Sequence, residues 1–316
     1  MRSVRADLFR LLGDEDRLRL LALCAEDELT VGELAQLIGE SQPQITKKSQ
    51  PLREAGLLAA RRDGTRTLLT ADASDDLVVA EAIAEGRRLC IKDGSLAKVP
   101  RVIAQREELS RQLFAVATAG GVEAPRADDA PPSTTLLAWL PVLAPLLPGR
   151  ALAVDAGTGE GELLPLLSPL YERVVAVDRS AARLARCAAR IDAWGLANVR
   201  LREGSIEDAA LAEEIAARGG ADLVVVARVL HHVGRPQDVI AAATRLVRAG
   251  GHLAVIDYLP HDDESLREQG HVWLGFEPDK LRAWIEAARL APVQVAPLAI
   301  SHHPTLQLAI GKKNRS

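Results

Sequence analysis

The most informative chemical motif is a glycine-rich segment that follows a short apolar run. The segment VDAGTGEG spans residues 154–161, and glycines at 157 and 159 allow a tight turn with close approach of the backbone to a ligand. Asp178 ends the next apolar run, roughly 20 residues later, where a carboxylate suits the hydroxyls of a ribose. The segment therefore predicts a nucleoside-binding loop between a strand and a helix.

Two nucleoside cofactors compete for this loop. A dinucleotide site has the fingerprint G-x-G-x-x-G and faces a pyrophosphate, whereas this loop reads G-x-G-x-G behind Asp155. A carboxylate at that place repels a pyrophosphate and suits the ammonium group of a methionine moiety. The loop thus favours S-adenosylmethionine (SAM) or its demethylated product S-adenosylhomocysteine (SAH) over NAD, and a purely structural glycine turn is the remaining alternative.

His231 and His232 are candidates for a general base. They follow the apolar run at 221–227, where a loop would leave the carboxyl end of a strand at the ligand-binding edge of the sheet. A neutral imidazole can accept a proton from a hydroxyl or amine. The alternative is that one histidine packs on the cofactor and the other is solvated. No spacing among the seven histidines predicts a metal site. Among the other five, His261 and His271 are weaker candidates for the base, and His302-His303 predicts a polar turn.

The C-terminal half alternates short apolar runs with helix-length segments, which is typical of a parallel, doubly wound sheet. The last two runs, at 292–300 and 305–311, are joined without a helix and must pair antiparallel. We therefore predict an α/β, Rossmann-like fold with a mostly parallel seven-stranded sheet. The other predicted strands are 151–155, 173–178, 199–203, 221–227 and 252–257, and two of the helices are 180–194 and 235–249.

The N-terminal segment predicts four short helices. Leucines give apolar faces to two helices within residues 8–23. A T-x-x-E capping box at Thr30 starts a third helix, which ends near Gly39. An S-x-x-Q box at Ser41 starts a fourth, which ends at Gly56. The tight turn between the last two helices predicts a helix-turn-helix.

A β-hairpin is predicted after the fourth helix. The runs LLAARRD and TRTLLT meet at Asp63-Gly64, a strong signal for a two-residue turn. Pro51 should bend the helix that precedes this hairpin. A helix-turn-helix followed by a hairpin is a winged helix.

Basic charge is concentrated on the fourth helix and the hairpin. Residues 41–66 carry a net charge of +4, whereas residues 1–40 carry −4. These elements contact bases and phosphates in winged helices, and the alternative is an ordinary solvated surface. The predicted DNA-binding residues are Ser41, Gln42, Gln44, Thr46, Lys47, Lys48, Arg53, Arg61, Arg62 and Arg66, and Gln42, Gln44, Thr46, Lys47 and Lys48 are the candidates for base edges.

Residues 8–70 resemble the ArsR-type winged-helix repressors. LREAGLLAARRDGTR is similar to the end of their recognition helix and wing, and ELTVGELAQLIGESQPQIT to the helix pair before it. The resemblance implies a homodimer on a double-stranded DNA operator, for which residues 75–91 could supply a contact helix. Metal-sensing members carry Cys-x-Cys where this chain has Thr30-Val31-Gly32, so thiolate sensing is not expected there.

Residues 136–311 resemble class I SAM-dependent methyltransferases. DAGTGEG is similar to their first motif, EGSIED at 203–208 to the adenine-edge motif, and ARVLHHV at 227–233 to the loop after the fourth strand. RLVRAGGHLAVIDY at 245–258 is similar to their helix, Gly-Gly turn and fifth strand. The resemblance implies a SAM or SAH site formed by Asp155, Ala156, Gly157, Thr158, Gly159, Gly161, Asp178, Arg179, Ser205, Ile206 and Arg228.

Length and composition set the remaining bounds. The 316 residues predict an ArsR-type winged helix at 1–72, a helical connector and linker at 73–133, and the methyltransferase domain at 134–316. A net charge of −4 and 3% aromatic residues exclude a polybasic nucleic-acid coat and argue against base-stacking platforms. Three well-separated cysteines, no signal peptide and no membrane-length run predict a cytoplasmic protein without disulfides.

Three functions fit these features. The first is a bacterial transcriptional regulator whose C-terminal domain senses SAM or SAH, or methylates a small molecule. The second is an active small-molecule methyltransferase with an accessory winged helix. The third, methylation of nucleic acid, is disfavoured because the loop after the fourth strand has neither a Pro-Pro-Tyr nor a cysteine motif and stacking aromatics are scarce.

Overall fold

The computed structural model describes residues 4–71, 76–119, 144–298 and 304–314. The chain divides into two compact units, Met1–Leu109 with Asp262–Ser265, and Ser110–His261 with Leu266–Ser316. The predicted linker at 120–133 and the predicted turn at 302–303 lie outside the described residues. Among the described residues, no helix combines the length and apolarity needed to cross a bilayer.

Four short helices open the first unit, as predicted. A capping box between Thr30 and Glu33 starts the third helix, and Gly39 ends it with a left-handed backbone at φ 80°. The fourth helix continues through Pro51. The helices of this part of the chain are α1 (Val4–Leu12), α2 (Glu15–Glu26), α3 (Val31–Ile38), α4 (Gln42–Glu54), α5 (Leu77–Asp93) and α6 (Ser95–Ala119).

The capping box predicted at Ser41 is wrong. The Ser41 side chain makes no capping hydrogen bond. Pro43 has no N–H to donate, and the Gln44 N–H donates to the Ser41 carbonyl oxygen at 3.0 Å instead. The helix therefore begins without a side-chain cap.

The predicted hairpin forms, with its turn one residue later than predicted. Three strands, β1 (Leu29–Thr30), β2 (Leu58–Asp63) and β3 (Arg66–Ala71), form an antiparallel sheet in the order β1-β3-β2. Asp63 pairs with Arg66, so Gly64 and Thr65 make the turn. Gly64 supplies the positive φ of 63°, while Asp63 is buried within β2. The first unit is thus a winged helix.

A mostly parallel seven-stranded sheet forms the centre of the second unit, as predicted. Its order is β6-β5-β4-β7-β8-β10-β9, and only β10 pairs antiparallel with both of its neighbours. The strands are β4 (Ala153–Ala156), β5 (Val174–Asp178), β6 (Val199–Glu203), β7 (Ala221–Ala227), β8 (Val247–Tyr258), β9 (Leu290–Pro297) and β10 (Leu306–Lys313). The helices are α7 (Leu164–Leu167), α8 (Ala181–Trp194), α9 (Ala209–Ala216), α10 (Pro236–Leu246) and α11 (Pro278–Ala287).

The strand order places the carboxyl ends of the central strands around one crevice. The order reverses at β4, which pairs with β5 on one side and β7 on the other. Ligands bind at such a switch point in open α/β sheets. Every residue of β4 is buried, so a ligand meets this strand at its carboxyl end, where Asp155 and the loop that follows it lie.

The resemblance to class I methyltransferases predicts a Gly-Gly turn before the fifth strand, and this prediction is wrong. Gly250 and Gly251 lie inside β8, which begins at Val247. The pairing of β8 with β7 shifts its register after Val247, and Gly250 has a φ of 77°. The two glycines therefore form an irregularity within a longer strand, because glycine accommodates the local backbone that a bulge requires.

Candidate functional site

The glycine loop follows β4 and needs glycine for its backbone. Gly157, Gly159 and Gly161 have φ angles of 79°, 57° and 85°, which other residues rarely adopt. A Cβ on Gly157 would clash with Val229 Cγ2, and a Cβ on Gly161 would lie 2.7 Å from Cys187 Sγ. The loop is therefore a narrow backbone cradle that a side chain at either position would fill.

Asp155 is a buried carboxylate at the base of this loop. It is 2% exposed, and Thr158 Oγ1 donates a 2.6 Å hydrogen bond to its Oδ2. Burial raises the pKa of Asp155 to about 6 against the opposing effect of Thr158, and the charges of Asp178 and Glu162 raise it further. A positively charged group beside Asp155 would offset this cost of ionisation.

Asp178 holds the other side of the loop. It ends β5, and its two oxygens accept 2.8 Å hydrogen bonds from the backbone N–H groups of Gly159 and Ser180. Each carboxylate oxygen has two lone pairs, so both can also accept from ribose hydroxyls. The predicted acids of β4 and β5 are thus brought together with the glycines.

The segment after β6 presents an apolar surface at Ile206 and a polar surface at Ser205. Ile206 is 8% exposed, whereas Ser205 Oγ accepts a 2.8 Å hydrogen bond from Arg179 Nη2. Arg179 also donates to Glu207 Oε2 at 2.6 Å. An aliphatic side chain beside a hydrogen-bonded rim suits the face and edge of adenine. Together with the glycine cradle and two acids, this donor set fits SAM.

Arg228 has an unusual backbone after β7. Its φ is 55° although it is not glycine, and its N–H donates to the Ile256 carbonyl oxygen at 2.7 Å. Its guanidinium donates to Glu162 Oε2, which follows the glycine loop. Residues with sparsely populated φ values cluster at functional sites. Through its bond to Glu162, Arg228 also connects the loop after β7 with the loop after β4.

His231 is buried against a carboxylate that the sequence did not identify as its partner. Its ring is 2% exposed, and Nδ1 lies 2.8 Å from Asp257 Oδ1. Asp257 also accepts backbone N–H bonds from Leu230 and Tyr258. Burial lowers the pKa of His231 to about 3 and raises that of Asp257 to about 6. The neutral imidazole is therefore held in one orientation.

His232 is half-buried and bonded, which corrects the alternative of a solvated histidine. Its Nδ1 lies 2.9 Å from the Gly270 carbonyl oxygen, and because a carbonyl only accepts, Nδ1 carries the proton. Burial lowers the pKa of His232 to about 3, with the neighbouring His231 contributing. An imidazole with so low a pKa is a weak base at neutral pH.

His271 completes a group of three imidazoles. Its ring centroid lies 4.1 Å from that of His231 and 5.1 Å from that of His232. Sequence reasoning ranked His271 low and missed Asp257, although the strands predicted at 221–227 and 252–257 both end at the ligand-binding edge of the sheet. The carboxyl ends of neighbouring parallel strands meet, and that rule could have paired Asp257 with His231.

The predicted DNA-binding residues separate into two groups. Eight are exposed on α4 or its N-cap and on the hairpin: Ser41, Gln42, Gln44, Thr46, Lys47, Arg53, Arg62 and Arg66. Lys48 is instead only 26% exposed, and its ammonium donates to Asp16 Oδ2 at 2.7 Å and to Glu40. Arg61 pairs with Glu28 at 3.2 Å. Lys48 and Arg61 are therefore engaged in ion pairs, and their contact with DNA stays a prediction.

Comparisons with known proteins identify relatives of both units. The family model "Methyltransferase domain" matches residues 154–255. A ubiquinone biosynthesis O-methyltransferase of Burkholderia cenocepacia is 30% identical over 196 residues, which cover 56% of this chain and 76% of that protein. The solved structure of the N-methyltransferase NodS of Bradyrhizobium japonicum with SAH is 18% identical, covers 66% of this chain and 97% of that one, and has a TM-score of 0.44.

The N-terminal relatives are transcriptional regulators. An uncharacterized HTH-type transcriptional regulator of Mycobacterium tuberculosis, Rv0081, is 33% identical over 88 residues, which cover 28% of this chain and 75% of that protein. The HTH-type regulator KmtR of the same organism is 39% identical over 59 residues, or 19% of this chain. The chain spans 45% of the length of KmtR.

Proposed function

We propose that this chain, which belongs to the SAM-dependent methyltransferases, is a DNA-binding regulator whose affinity for DNA responds to SAM or SAH. Its N-terminal part is related to HTH-type transcriptional regulators. The observation that carries the proposal is the presence of the glycine cradle and an exposed basic helix on one chain. In this proposal the cofactor domain senses SAM or SAH, and the winged helix is the part whose affinity for DNA changes.

The residues around the cradle have separate tasks in cofactor binding. Asp178 accepts from the ribose hydroxyls, Asp155 faces the ammonium group of the methionine moiety, and Ile206 covers the adenine. Thr158 and the N–H of Gly159 hold the two carboxylates in place before the ligand arrives. SAM supplies an electrophilic methyl group when it is bound.

The DNA-binding surface is the exposed set on α4 and the hairpin. Lys47, Arg53 and Arg62 are exposed on these elements, and their positive charges suit phosphate oxygens. We assign the first unit to the ArsR-type repressors and propose a homodimer, which would match a two-fold operator. Ile91 of α5 and Leu109 of α6 are 63% and 53% exposed and are apolar groups that a second copy could cover.

A DNA-binding titration tests the sensing role. Duplexes that bind the full chain are selected from a random-sequence pool, and their affinity is measured by fluorescence anisotropy with and without saturating SAM or SAH. We expect at least a roughly fivefold change with one ligand, the lower end of ordinary allosteric coupling. Gly157→Ala should bind DNA like the wild type but lose the response. Equal DNA affinity in all ligand states would refute sensing.

Methylation of a small molecule is the second candidate function. The specific observation in its favour is the His231–Asp257 pair with His232 and His271, which lies at the carboxyl ends of β7 and β8. A pure sensor has no use for such a group beside the cofactor, whereas an acceptor needs polar groups that orient it.

Transfer of a labelled methyl group separates the two candidates. The full chain is incubated with methyl-labelled SAM and panels of thiols, phenols and amines, and both the methylated product and SAH are quantified. If the chain transfers methyl groups, at least one panel yields equal amounts of the two products. A chain that binds SAH in calorimetry but transfers no label to any panel would leave sensing as the function.

A further inference from the structure

Three histidines converge at the carboxyl ends of β7 and β8. His231 and His232 lie in the 3-10 turn Leu230–His232 that follows β7, and His271 follows the 3-10 turn Glu264–Gln269. Each offers a ring nitrogen, and the three nitrogens lie within 4.8 Å of one another. The tight turn lets adjacent residues face the same point, with ring centroids of His231 and His232 only 4.1 Å apart.

The outer contacts of two of these histidines resemble those of metal ligands. A metal-bound histidine almost always bonds through its second ring nitrogen to a carboxylate or backbone carbonyl, which fixes its tautomer and orientation. His231 has Asp257 in this role, at 2.8 Å, and His232 has the Gly270 carbonyl oxygen, at 2.9 Å. In both rings the bonded atom is Nδ1, so Nε2 is the nitrogen that presents a lone pair.

The third histidine has a polar atom without a protein partner. His271 is 8% exposed, and its Nδ1 is buried with no hydrogen-bond partner. A buried nitrogen in this state costs free energy unless a ligand satisfies it. The observation is independent of the convergence of the rings, and it points to a species that accepts the imidazole lone pair.

We propose that His231, His232 and His271 bind a divalent transition metal ion, with Zn²⁺ the best-suited ion. Imidazole suits Zn²⁺, and Asp257 supplies a negative charge next to the first ligand. With Zn–N bonds of 2.0–2.1 Å, tetrahedral ligand nitrogens lie about 3.3 Å apart. The most distant pair would therefore close by about 1.5 Å, which rotation of the imidazole rings can provide.

A site with three protein ligands leaves one tetrahedral position open. Catalytic zinc sites have this composition, whereas structural sites use four protein ligands. The open position would take water or an oxygen or sulfur atom of a methyl acceptor, whose proton the metal makes easier to lose. The role in acceptor binding rests on the proposed methyl transfer, whereas metal binding itself does not.

Metal binding is tested on the full chain after removal of metal with a chelator. Zn²⁺ is titrated by calorimetry, and Co²⁺ is used as a coloured substitute whose absorption reports tetrahedral coordination. The variants are His271→Gln and His232→Gln, and His252→Gln is the matched control because His252 lies earlier in β8, opposite Lys312. Circular dichroism during heating checks that each variant is folded.

We expect one Zn²⁺ per chain in the wild type and in His252→Gln, and at least tenfold weaker binding in the folded variants of the cluster. The proposal is overturned if the wild type binds no stoichiometric Zn²⁺, or if both cluster variants bind it as tightly as the control. SAH is titrated into the same samples. A wild type that binds SAH but no Zn²⁺ would refute the metal site alone, and a wild type that binds Zn²⁺ but no SAH would refute the cofactor site alone.

Discussion

Asp155 is a carboxylate whose ionisation is disfavoured by its burial. Burial raises its pKa from 3.8 to about 6, so the folded chain binds more protons than the unfolded chain between these values. The free energy of unfolding therefore falls as the pH rises through this window. A ligand cation reverses the balance, because it favours the ionised form. Binding of an ammonium group should thus release a proton from Asp155 at low pH.

The affinity for SAH should consequently depend on pH. Since only the ionised form of Asp155 favours the ligand, we expect binding to weaken by about tenfold from pH 7 to pH 5, the change that one group of pKa about 6 produces. The measurement is calorimetry at several pH values in buffers of different ionisation enthalpy. Asp155→Asn is the control, with weaker binding and a flatter profile. The same pH profile in both proteins would contradict this assignment.

Local motifs were predictable at the scale of residues, and distant partners were not. The glycines and Asp155 belong to one short motif, so their spacing carries the information. Lys48 pairs with Asp16, 32 residues away, and His231 with Asp257, 26 residues away. No local pattern records such pairs, because tertiary packing creates them. For this reason the sequence did not reveal that Lys48, which is predicted to contact DNA, forms an ion pair with Asp16.

At the scale of elements, α4 should use only some of its cations on DNA. Lys47 is exposed on this helix, whereas Lys48 is held between Asp16 and Glu40. We expect Lys47→Ala to weaken binding to a selected duplex and to reduce the slope of log affinity against log salt by about 1. Lys48→Ala should leave that slope unchanged. A larger loss of slope in Lys48→Ala than in Lys47→Ala, measured by anisotropy at several salt concentrations, would refute this division.

The packing of α5 against α2 depends on a glycine. A Cβ on Gly86 would clash with the carbonyl oxygen of Leu18, which cannot rotate away. We expect Gly86→Ala to lower the free energy of unfolding by about 1–3 kcal/mol, as overpacking does. Gly32→Ala in α3 is the control, because a Cβ there meets the flexible end of Gln42, at 3.4 Å, and Thr30 Oγ1 at an ordinary contact distance of 3.8 Å. It should be neutral or stabilise the chain by up to about 1 kcal/mol. Urea unfolding of both variants checks this, and equal losses would contradict the packing argument.

The strands were the most predictable elements because their signal is continuous. Buried parallel strands read as apolar runs, and all seven predicted runs overlap strands of the sheet. Errors arose where a single residue altered hydrogen bonding. The Gln44 N–H, which a capping box at Ser41 required, donates to the Ser41 carbonyl oxygen instead, and Asp63 is buried in β2, with the hairpin turn at Gly64 and Thr65. Such outcomes depend on one atom or on tertiary burial.

At the scale of the whole molecule, one chain carries a winged helix and a methyltransferase domain as separate compact units. Coupling between them is a difference in free energy, and it requires that SAM or SAH bind more tightly to one DNA-binding state than to the other. Every such effect depends on occupation of the glycine cradle. The cradle is therefore the feature on which the proposed regulation, and equally the alternative of methyl transfer, depends.

Calorimetric titration of SAH into the wild type, Gly157→Ala and Gly195→Ala tests this claim most directly. Both glycines have positive φ, at 79° and 66°, but a Cβ on Gly195 has no neighbour within 4 Å and lies outside the loop. The account predicts one SAH per chain in the wild type and Gly195→Ala, and at least about tenfold weaker binding in Gly157→Ala, from backbone strain of 1–3 kcal/mol. No binding to the wild type, or equal affinity in all three proteins, would contradict it.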